Sequence, residues 1–361
     1  MTAVTSLLSR MLGVLGLLTL GLGAWGAGPL SAQASAPQPI SGVTSPVSPG
    51  GPQLFVWPNE QALADHSFRF RGESGARVLH GAIGLLAAAG GPLPASPSTA
   101  GQRLHRSPRL VADVGLAIVR ANLPALEGSG AQDHDRTSLL LAPRLTVAAG
   151  VFEGFSPAAT VGGVGSVDVV GELRYLPVLA PDGIDGGSLA WGLGARVGIL
   201  RESFTLPGVT LVGMHRRTGT GVYRGPFVAE TSATAVQEQV ETSPSVTSLR
   251  AVVGKDLLAV GVNAGVQRDW IRGDARISTR RRMGGGNLVD TSFAPITTSV
   301  PVDRTTFFVG ANRTWVVTQA TLELGWSPAA GGRADPGTTG FPEYRGPEGA
   351  FSGAISFRIT Y

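Results

Sequence analysis

The last nine residues of the chain, GAISFRITY at 353–361, alternate strictly between apolar and polar side chains. Because the side chains of a β-strand point alternately to its two faces, this pattern predicts a strand with one apolar and one polar face. The apolar face carries Ile355, Phe357, Ile359 and Tyr361. A terminal strand frays unless neighbours hold it, so we expect this strand to be paired along its whole length.

The same alternation recurs nine more times. It is clear at 166–175, 189–200, 257–270 and 314–326, and weaker at 109–120, 138–151, 209–218, 246–255 and 304–313. Clear segments of about 10–13 residues exceed the 5–6 residues of an average strand and match the 9–11 that a strand needs to cross a bilayer. Their polar faces mix charged side chains with glycine, unlike a dry core.

These strands predict an all-β fold, a transmembrane antiparallel up-and-down β-barrel of about 10–12 strands. Closure is required because an open sheet edge would leave unpaired amide groups in hydrocarbon. Tight turns are predicted near 313–315, 255–256 and 204–208, and long connections at 218–245, 271–303 and 328–348. Outer-membrane barrels have short periplasmic turns and long external loops. An even strand number then predicts both chain ends in the periplasm.

The residues before the barrel divide into three segments. Residues 1–34 contain Arg10, an apolar run and an A-x-A cleavage pattern, which predict a secretory signal peptide. Residues 35–58 are rich in Pro, Gly and Ser and predict a linker. Residues 59–108 are predicted as a lead-in, a plug or an extra strand pair, because periodicity does not separate these alternatives. The barrel itself is assigned to 109–361.

Composition excludes several function classes. Only 15% of the residues are charged, against about a quarter in soluble proteins. A net charge of +4 is too small to indicate nucleic-acid binding. The absence of cysteine excludes disulfides, thiol catalysis and cysteine-ligated metals. We expect no metal, no cofactor and no enzymatic activity. The oligomeric state is left open.

Aromatic side chains occur at the ends of the predicted strands, where an amphipathic ring suits the boundary between hydrocarbon and headgroups. The interfacial aromatics predicted in this way are Tyr175, Trp191, Trp270, Trp315 and Trp326.

Strand parity also predicts which polar side chains line the lumen. They are Asp168, Glu172, Arg174, Arg196, Asn263, Gln267, Asp269, Gln319, Glu323 and Arg358, with Arg250 on the same face. Opposite charges in a modest lumen form either a lining that selects solutes or an internal ion-pair network that closes the barrel.

The signal at 1–34 and the terminal alternation of Phe351, Ile355, Phe357, Ile359 and Tyr361 resemble those of bacterial outer-membrane β-barrel proteins. The resemblance implies an outer-membrane location and, as partners, membrane lipid, lipopolysaccharide and the barrel-assembly machinery. It also implies that Phe357, Ile359 and Tyr361 act as the assembly signal. Residues 192–219 are similar to a strand pair of the fatty-acid-transporter-like barrels.

Three functions follow as hypotheses. The first is a passive channel or transporter for small or hydrophobic molecules, which would have a small-molecule substrate. The second is a structural or surface-interaction barrel that acts through its external loops. Arg280, Arg281 and Arg282 could bind lipopolysaccharide phosphates there, although a solvated charge run is the favoured interpretation of these three residues. The third is a barrel hydrolase, which we disfavour because no nucleophile motif is present. His134 lies between two aspartates, which suits a metal or catalytic site, but a solvated loop residue explains this pattern better.

Overall fold

The computed structural model describes residues 76–94, 96–100, 109–123, 136–157, 162–176, 184–185, 187–225, 228–229, 234–257, 260–283, 288–289, 296–328 and 349–360. The predicted signal peptide and linker, His134 and the terminal Tyr361 lie outside these residues. Among the described residues no helix is long and apolar enough to cross a membrane.

The strands follow one another along the chain with these bounds. They are β1 (Arg109–Leu123), β2 (Arg136–Phe152), β3 (Ser166–Leu176), β4 (Ile184–Asp185), β5 (Ser188–Leu200), β6 (Gly208–Thr218), β7 (Gly221–Arg224), β8 (Val228–Ala229), β9 (Thr234–Thr242), β10 (Ser245–Leu257), β11 (Val260–Arg272), β12 (Asp274–Met283), β13 (Leu288–Val289), β14 (Ile296–Ser299), β15 (Val302–Trp315), β16 (Thr318–Ser327) and β17 (Ala350–Thr360).

Ten of the strands form a closed antiparallel barrel in the order β1, β2, β3, β5, β6, β10, β11, β15, β16 and β17. Pairing of β17 with β1, from Val111 opposite Thr360 to Arg120 opposite Phe351, closes the barrel. The predicted fold class is therefore confirmed, and each of the ten predicted segments is a barrel strand. The terminal strand is paired on both sides, with β1 and with β16.

The connections divide the barrel into two rims. One rim, called the turn rim, carries the connections at 201–207, 258–259 and 316–317, and also the start of β1 and the end of β17. The opposite rim, called the loop rim, carries the long connections. The predicted turn at Lys255–Asp256 is wrong by a few residues, because β10 continues to Leu257, which pairs with Val260. Residues 313–315 likewise end β15, and the turn follows at 316–317.

Beyond the loop rim, the long connections form a second antiparallel sheet of seven strands within the described residues. Its main pair is β9 with β12, from Ala275 opposite Thr242 to Met283 opposite Thr234. The sequence predicts loops at 218–245 and 271–303, and that prediction is wrong where these strands form. They continue the barrel strands outward, since β9 leads into β10 and β11 leads into β12.

Residues 76–88 form a helix, named α1. Its Leu79, Leu85 and Leu86 are buried, as are its alanines. A helix that is apolar all round is stable only when it is enclosed, and α1 packs against inward-facing side chains such as Ala117, Leu140 and Ile271. The helix ends before Gly90 and Gly91, whose φ angles of 75° and 56° suit glycine at a helix C-terminus.

Candidate functional site: the barrel lumen

The described residues 76–94 and 96–100, together named the lumen segment, lie in the lumen and cross the barrel from one rim to the other. At the loop rim, His80 Nδ1 lies 2.6 Å from Thr242 Oγ1 of β9. At the turn rim, the amide of Ala100 donates to Asp168 Oδ2 at 2.8 Å. Gly84 lies so close to the wall that a Cβ there would be 2.6 Å from Ile271. The segment therefore fills the space between these strands.

Side chains of the barrel wall bind the C-terminal end of α1. Arg174 Nη1 donates to the carbonyl oxygens of Leu86 and Ala89, both at 2.9 Å. Gln267 Nε2 donates to the carbonyl of Ala88 at 3.2 Å. The last carbonyls of a helix have no partner within the helix, and positive charge is favourable at that end. The wall thus supplies the hydrogen bonds that α1 cannot make itself.

Two further arginines bind the main chain beyond the helix. Arg358 Nη2 donates to the carbonyl of Pro94 at 2.7 Å. Arg196 Nη2 donates to the carbonyl oxygens of Ser96, at 3.1 Å, and Ser98, at 2.5 Å. An extended segment without a paired strand needs such partners when it is buried. Most of these contacts are to backbone oxygens, and Arg196 also donates to Ser96 Oγ at 3.1 Å. They therefore hold chiefly the backbone path of the segment.

Carboxylates beside these arginines balance part of their charge. Glu172 on β3 forms ion pairs with Arg174, at 2.5 Å, and with Arg216 on β6, at 2.9 Å. These three side chains are buried. Removal of any one would leave a buried charge with fewer partners, which is costly in a confined interior.

A second cluster lies on β1, β2 and β17. Asp113 forms ion pairs with Arg144, at 3.0 Å, and Arg358, at 3.5 Å. Arg144 also donates to the carbonyl of Gly91. The cluster therefore joins the strand pair that closes the barrel to the lumen segment.

Two pairs complete the interior charges. Arg250 on β10 forms a two-pronged contact with Glu323 on β16, at 3.0 and 2.5 Å. Arg196 lies 3.5 Å from Asp168. Polar side chains link some of these groups, because Gln267 accepts a hydrogen bond from Arg250 at 3.1 Å and donates one to Asp269 at 2.9 Å. The inward charges thus form local ion-pair clusters that are partly joined through neighbouring polar side chains.

The structure places the predicted lumen residues on the inner face. Nine are buried, and Gln319, which accepts a hydrogen bond from Arg358 at 2.7 Å, is half-buried. The nine are Asp168, Glu172, Arg174, Arg196, Asn263, Gln267, Asp269, Glu323 and Arg358. Four inward charged residues were missed, Asp113, Arg144, Arg216 and Arg304. They lie on strands with weaker alternation, although the parity of the flanking apolar residues would have identified them.

The outer face is apolar, as the parity predicts. Tyr175, Trp191, Trp315 and Trp326 are exposed there at the ends of their strands, and Trp270 near the end of β11 is half-buried. Trp315 lies near the turn rim and the other four lie toward the loop rim. Phe357 and Ile359 of the predicted assembly signal also point outward.

The other candidate sites bring fewer polar side chains together than the lumen does. A cavity of about 250 Å³ opens at the turn rim between Ser96, Thr99, Arg109, Thr314 and Gln319. Among the described residues no group of three or more His, Asp or Glu side chains is placed to hold a metal. Arg280, Arg281 and Arg282 lie on β12, in the second sheet.

No protein-family model matches the chain, and no curated protein matches it in sequence. Among solved structures, it is similar to an outer membrane channel from Pseudomonas putida F1, with 11% identity, a TM-score of 0.35, and coverage of 70% of this chain and 95% of that one. It is also similar to the outer membrane protease OmpT from Escherichia coli, with 10% identity, a TM-score of 0.35, and coverage of 74% and 100%.

A third similar structure is a Pseudomonas aeruginosa FadL homologue, with 10% identity, a TM-score of 0.31, and coverage of 78% of this chain and 97% of that one. These likenesses concern the barrel fold alone.

Proposed function

We propose that this protein is an integral outer-membrane barrel whose lumen is closed by its own lumen segment, and that it acts through the surface beyond its loop rim. The observation that carries the proposal is the binding of backbone carbonyls at Leu86, Ala89, Pro94 and Ser98 by wall arginines. These contacts hold a segment that fills the space a solute would need.

The outer surface supports the membrane location. Large apolar side chains are exposed on every barrel strand except β6, and include Val169, Leu193, Leu249, Leu324 and Ile355. Soluble proteins rarely expose apolar patches above a few hundred Å². In a bilayer the same side chains meet lipid tails, and the closed barrel leaves no unpaired strand edge. The partners on this proposal are outer-membrane lipid, lipopolysaccharide and, during insertion, the barrel-assembly machinery.

The second sheet supports action beyond the loop rim. It is built from β4, β7, β9, β12 and β13, with β8 and β14 at its sides. Its strands β7, β9, β12 and β14 adjoin barrel strands in the chain. The barrel therefore fixes their position, as a rigid scaffold positions a binding loop. A passive open channel would not need such an extension, whereas a surface-interaction barrel would.

A second candidate is a gated channel for small or hydrophobic molecules. It is supported by the cavity at the turn rim and by the polar character of the contacts that hold the lumen segment. Hydrogen bonds of this kind can exchange with water, so the segment could withdraw while the barrel stays folded.

Planar-bilayer conductance of the refolded mature chain tests the proposal. We expect the full chain to give no stable current steps. A variant lacking 35–100 should conduct, because the lumen segment is removed. The matched control lacks only 35–75 and should remain closed. Stable steps from the full chain would overturn the closed barrel and favour the channel. Heat-modifiable migration in gels shows that each variant has folded.

A further inference from the structure

The direction of the lumen segment through the barrel has a consequence for the topology of the whole chain. Both barrel ends lie at the turn rim, where Arg109 of β1 pairs with Gly150 and Val111 pairs with Thr360. The lumen segment arrives at the same rim, because Thr99 Oγ1 lies 2.6 Å from Oγ of Ser166, the first residue of β3. The chain therefore enters β1 from the turn rim.

The beginning of the lumen segment lies at the other rim. His80 contacts Thr242 of the second sheet, and a Cβ on Gly221, the first residue of β7, would lie 3.0 Å from Ile83. Gly81 is close to Val302, the first residue of β15. All three neighbours lie at or beyond the loop rim. Residues 76–100 therefore run once through the lumen, from the loop rim to the turn rim.

Among the described residues, α1 packs closely against the barrel wall. Leu79, Leu85 and Leu86 are buried against the wall. A Cβ on Gly84 would lie within 2.9 Å of three Ile271 carbons, and a Cβ on Gly90 would overlap the side chain of Ala354. At these two points the wall leaves no room for a further segment of chain between itself and the lumen segment.

We propose that the barrel is threaded by its own N-terminal chain. Ala76, at the start of the lumen segment, then lies on the loop-rim side of the membrane, and the start of β1 and the end of β17 lie on the opposite side. On the proposed function the loop rim faces outward, so we expect a probe at a position upstream of Ala76 to be reached from the cell surface. The sequence-based expectation that both ends lie in the periplasm is replaced by this topology.

Threading also constrains assembly. The barrel closes through the pairing of β1 with β17, the first and last barrel strands in the chain. The lumen segment must lie inside when this seam forms, or pass through afterwards. The upstream chain must cross the membrane with it. Residues 35–58, rich in Pro, Gly and Ser and free of cysteine, have a composition that suits passage in an extended form.

Single-cysteine labelling tests the topology, because the natural chain contains no cysteine. Three variants are compared: Ser67→Cys in the upstream chain, Thr297→Cys on β14 beyond the loop rim, and Phe204→Cys at the turn rim. Thr297 and Phe204 are exposed. A membrane-impermeant maleimide is applied to intact cells and to cells with a permeabilised outer membrane. The refolded variants in detergent show that each thiol can react.

We expect Ser67→Cys and Thr297→Cys to be labelled on intact cells, and Phe204→Cys only after permeabilisation. Threading would be overturned if Ser67→Cys and Phe204→Cys were labelled under the same condition and Thr297→Cys under the other one. Labelling of Phe204→Cys on intact cells, with Ser67→Cys and Thr297→Cys protected, would support threading and overturn the proposed orientation. The comparison of Ser67 with Thr297 tests whether the barrel is threaded by its N-terminal chain. The comparison of Thr297 with Phe204 tests which rim of the barrel faces outward.

Discussion

Arg174 on β3 donates a 2.9 Å hydrogen bond to the carbonyl oxygen of Leu86, 88 residues earlier in the chain. A charged side chain of the barrel wall thus completes the backbone hydrogen bonding of a helix inside the lumen. The same guanidinium is paired with Glu172. Stability of the wall and closure of the lumen are therefore coupled through one residue.

Replacing this arginine should weaken both properties. Arg174→Met removes the bonds to Leu86 and Ala89 and leaves Glu172 with Arg216 as its ion-pair partner. Breaking a buried pair typically costs about 3–5 kcal/mol, so the free energy of unfolding in urea should fall by that order. Conductance events should appear as the helix end is released.

The matched control is Arg268→Met. Arg268 forms an exposed ion pair with Asp303 at 3.4 Å, and exposed pairs contribute about 0–1 kcal/mol. An equal loss of unfolding free energy in the two variants would contradict the role given to Arg174.

Arg196 provides a second test of how the interior charges contribute to the stability of the barrel. It binds the carbonyls of Ser96 and Ser98 and pairs with Asp168. Arg196→Ala should destabilise the barrel, and addition of Asp168→Asn should recover part of the loss, because the uncompensated carboxylate is neutralised. Combining Arg196→Ala with Glu323→Gln should give no recovery, since Glu323 belongs to the Arg250 cluster. Recovery in the second combination, measured by urea unfolding, would indicate a continuous network.

An arginine placed on the outward face should lower the stability of the barrel by an amount that depends on its depth in the bilayer. Leu322 is exposed in the middle of β16, and Thr318 is exposed at its turn-rim end. Leu322→Arg should cost about 2–4 kcal/mol in refolding titrations into lipid, and Thr318→Arg about 0–1 kcal/mol. Similar costs at the two positions would argue against a lipid-facing band.

The alternation of β11 suggests Gly261 as an inward-facing position for a control substitution. This position is unsuitable. A Cβ there would overlap the side chains of Asp256 and Asn312. Damage from a substitution at Gly261 would therefore report a steric clash rather than lipid exposure.

The lumen helix should loosen in acid. His80 is buried, its Nε2 has no hydrogen-bond partner among the described residues, and burial together with nearby Arg272 lowers its pKa from 6.5 to about 4. Because the folded pKa lies below the unfolded one, the unfolded chain takes up the proton first as pH falls. Stability should therefore be complete above pH 6.5 and decline toward pH 4.

Urea midpoints measured across this window give the test. His80→Asn should flatten the decline, whereas His215→Asn, at a partly exposed site on β6, should retain it. An unchanged pH profile in His80→Asn would assign the acid sensitivity to other groups.

Tyr361 remains a prediction from the sequence, since it lies outside the described residues. Its deletion should lower the amount of heat-modifiable protein in the outer membrane and leave a protease-sensitive periplasmic form. Thr318→Ser, at an exposed position on β16, should assemble normally. Normal assembly of the Tyr361 deletion would remove the residue from the assembly signal.

The sequence by itself determined the ten barrel strands and the face on which each side chain lies. Both are local properties, because a period of two assigns Glu172 and Leu173 to opposite faces whatever the strand pairs with. It did not determine the state of residues 76–88, since a short apolar run suits a helix or a strand. Only enclosure by the barrel made the helix stable.

The tertiary structure decided which charges meet. Parity placed Arg174, Arg196 and Glu323 inside, but pairing depends on strand stagger and on the path of a segment about a hundred residues away in the chain. Arg196 therefore binds the carbonyl of Ser98 as well as the carboxylate of Asp168. The direction of the lumen segment was likewise decided by long-range packing, because a linear pattern of side chains carries no information about which rim of a closed barrel the chain enters.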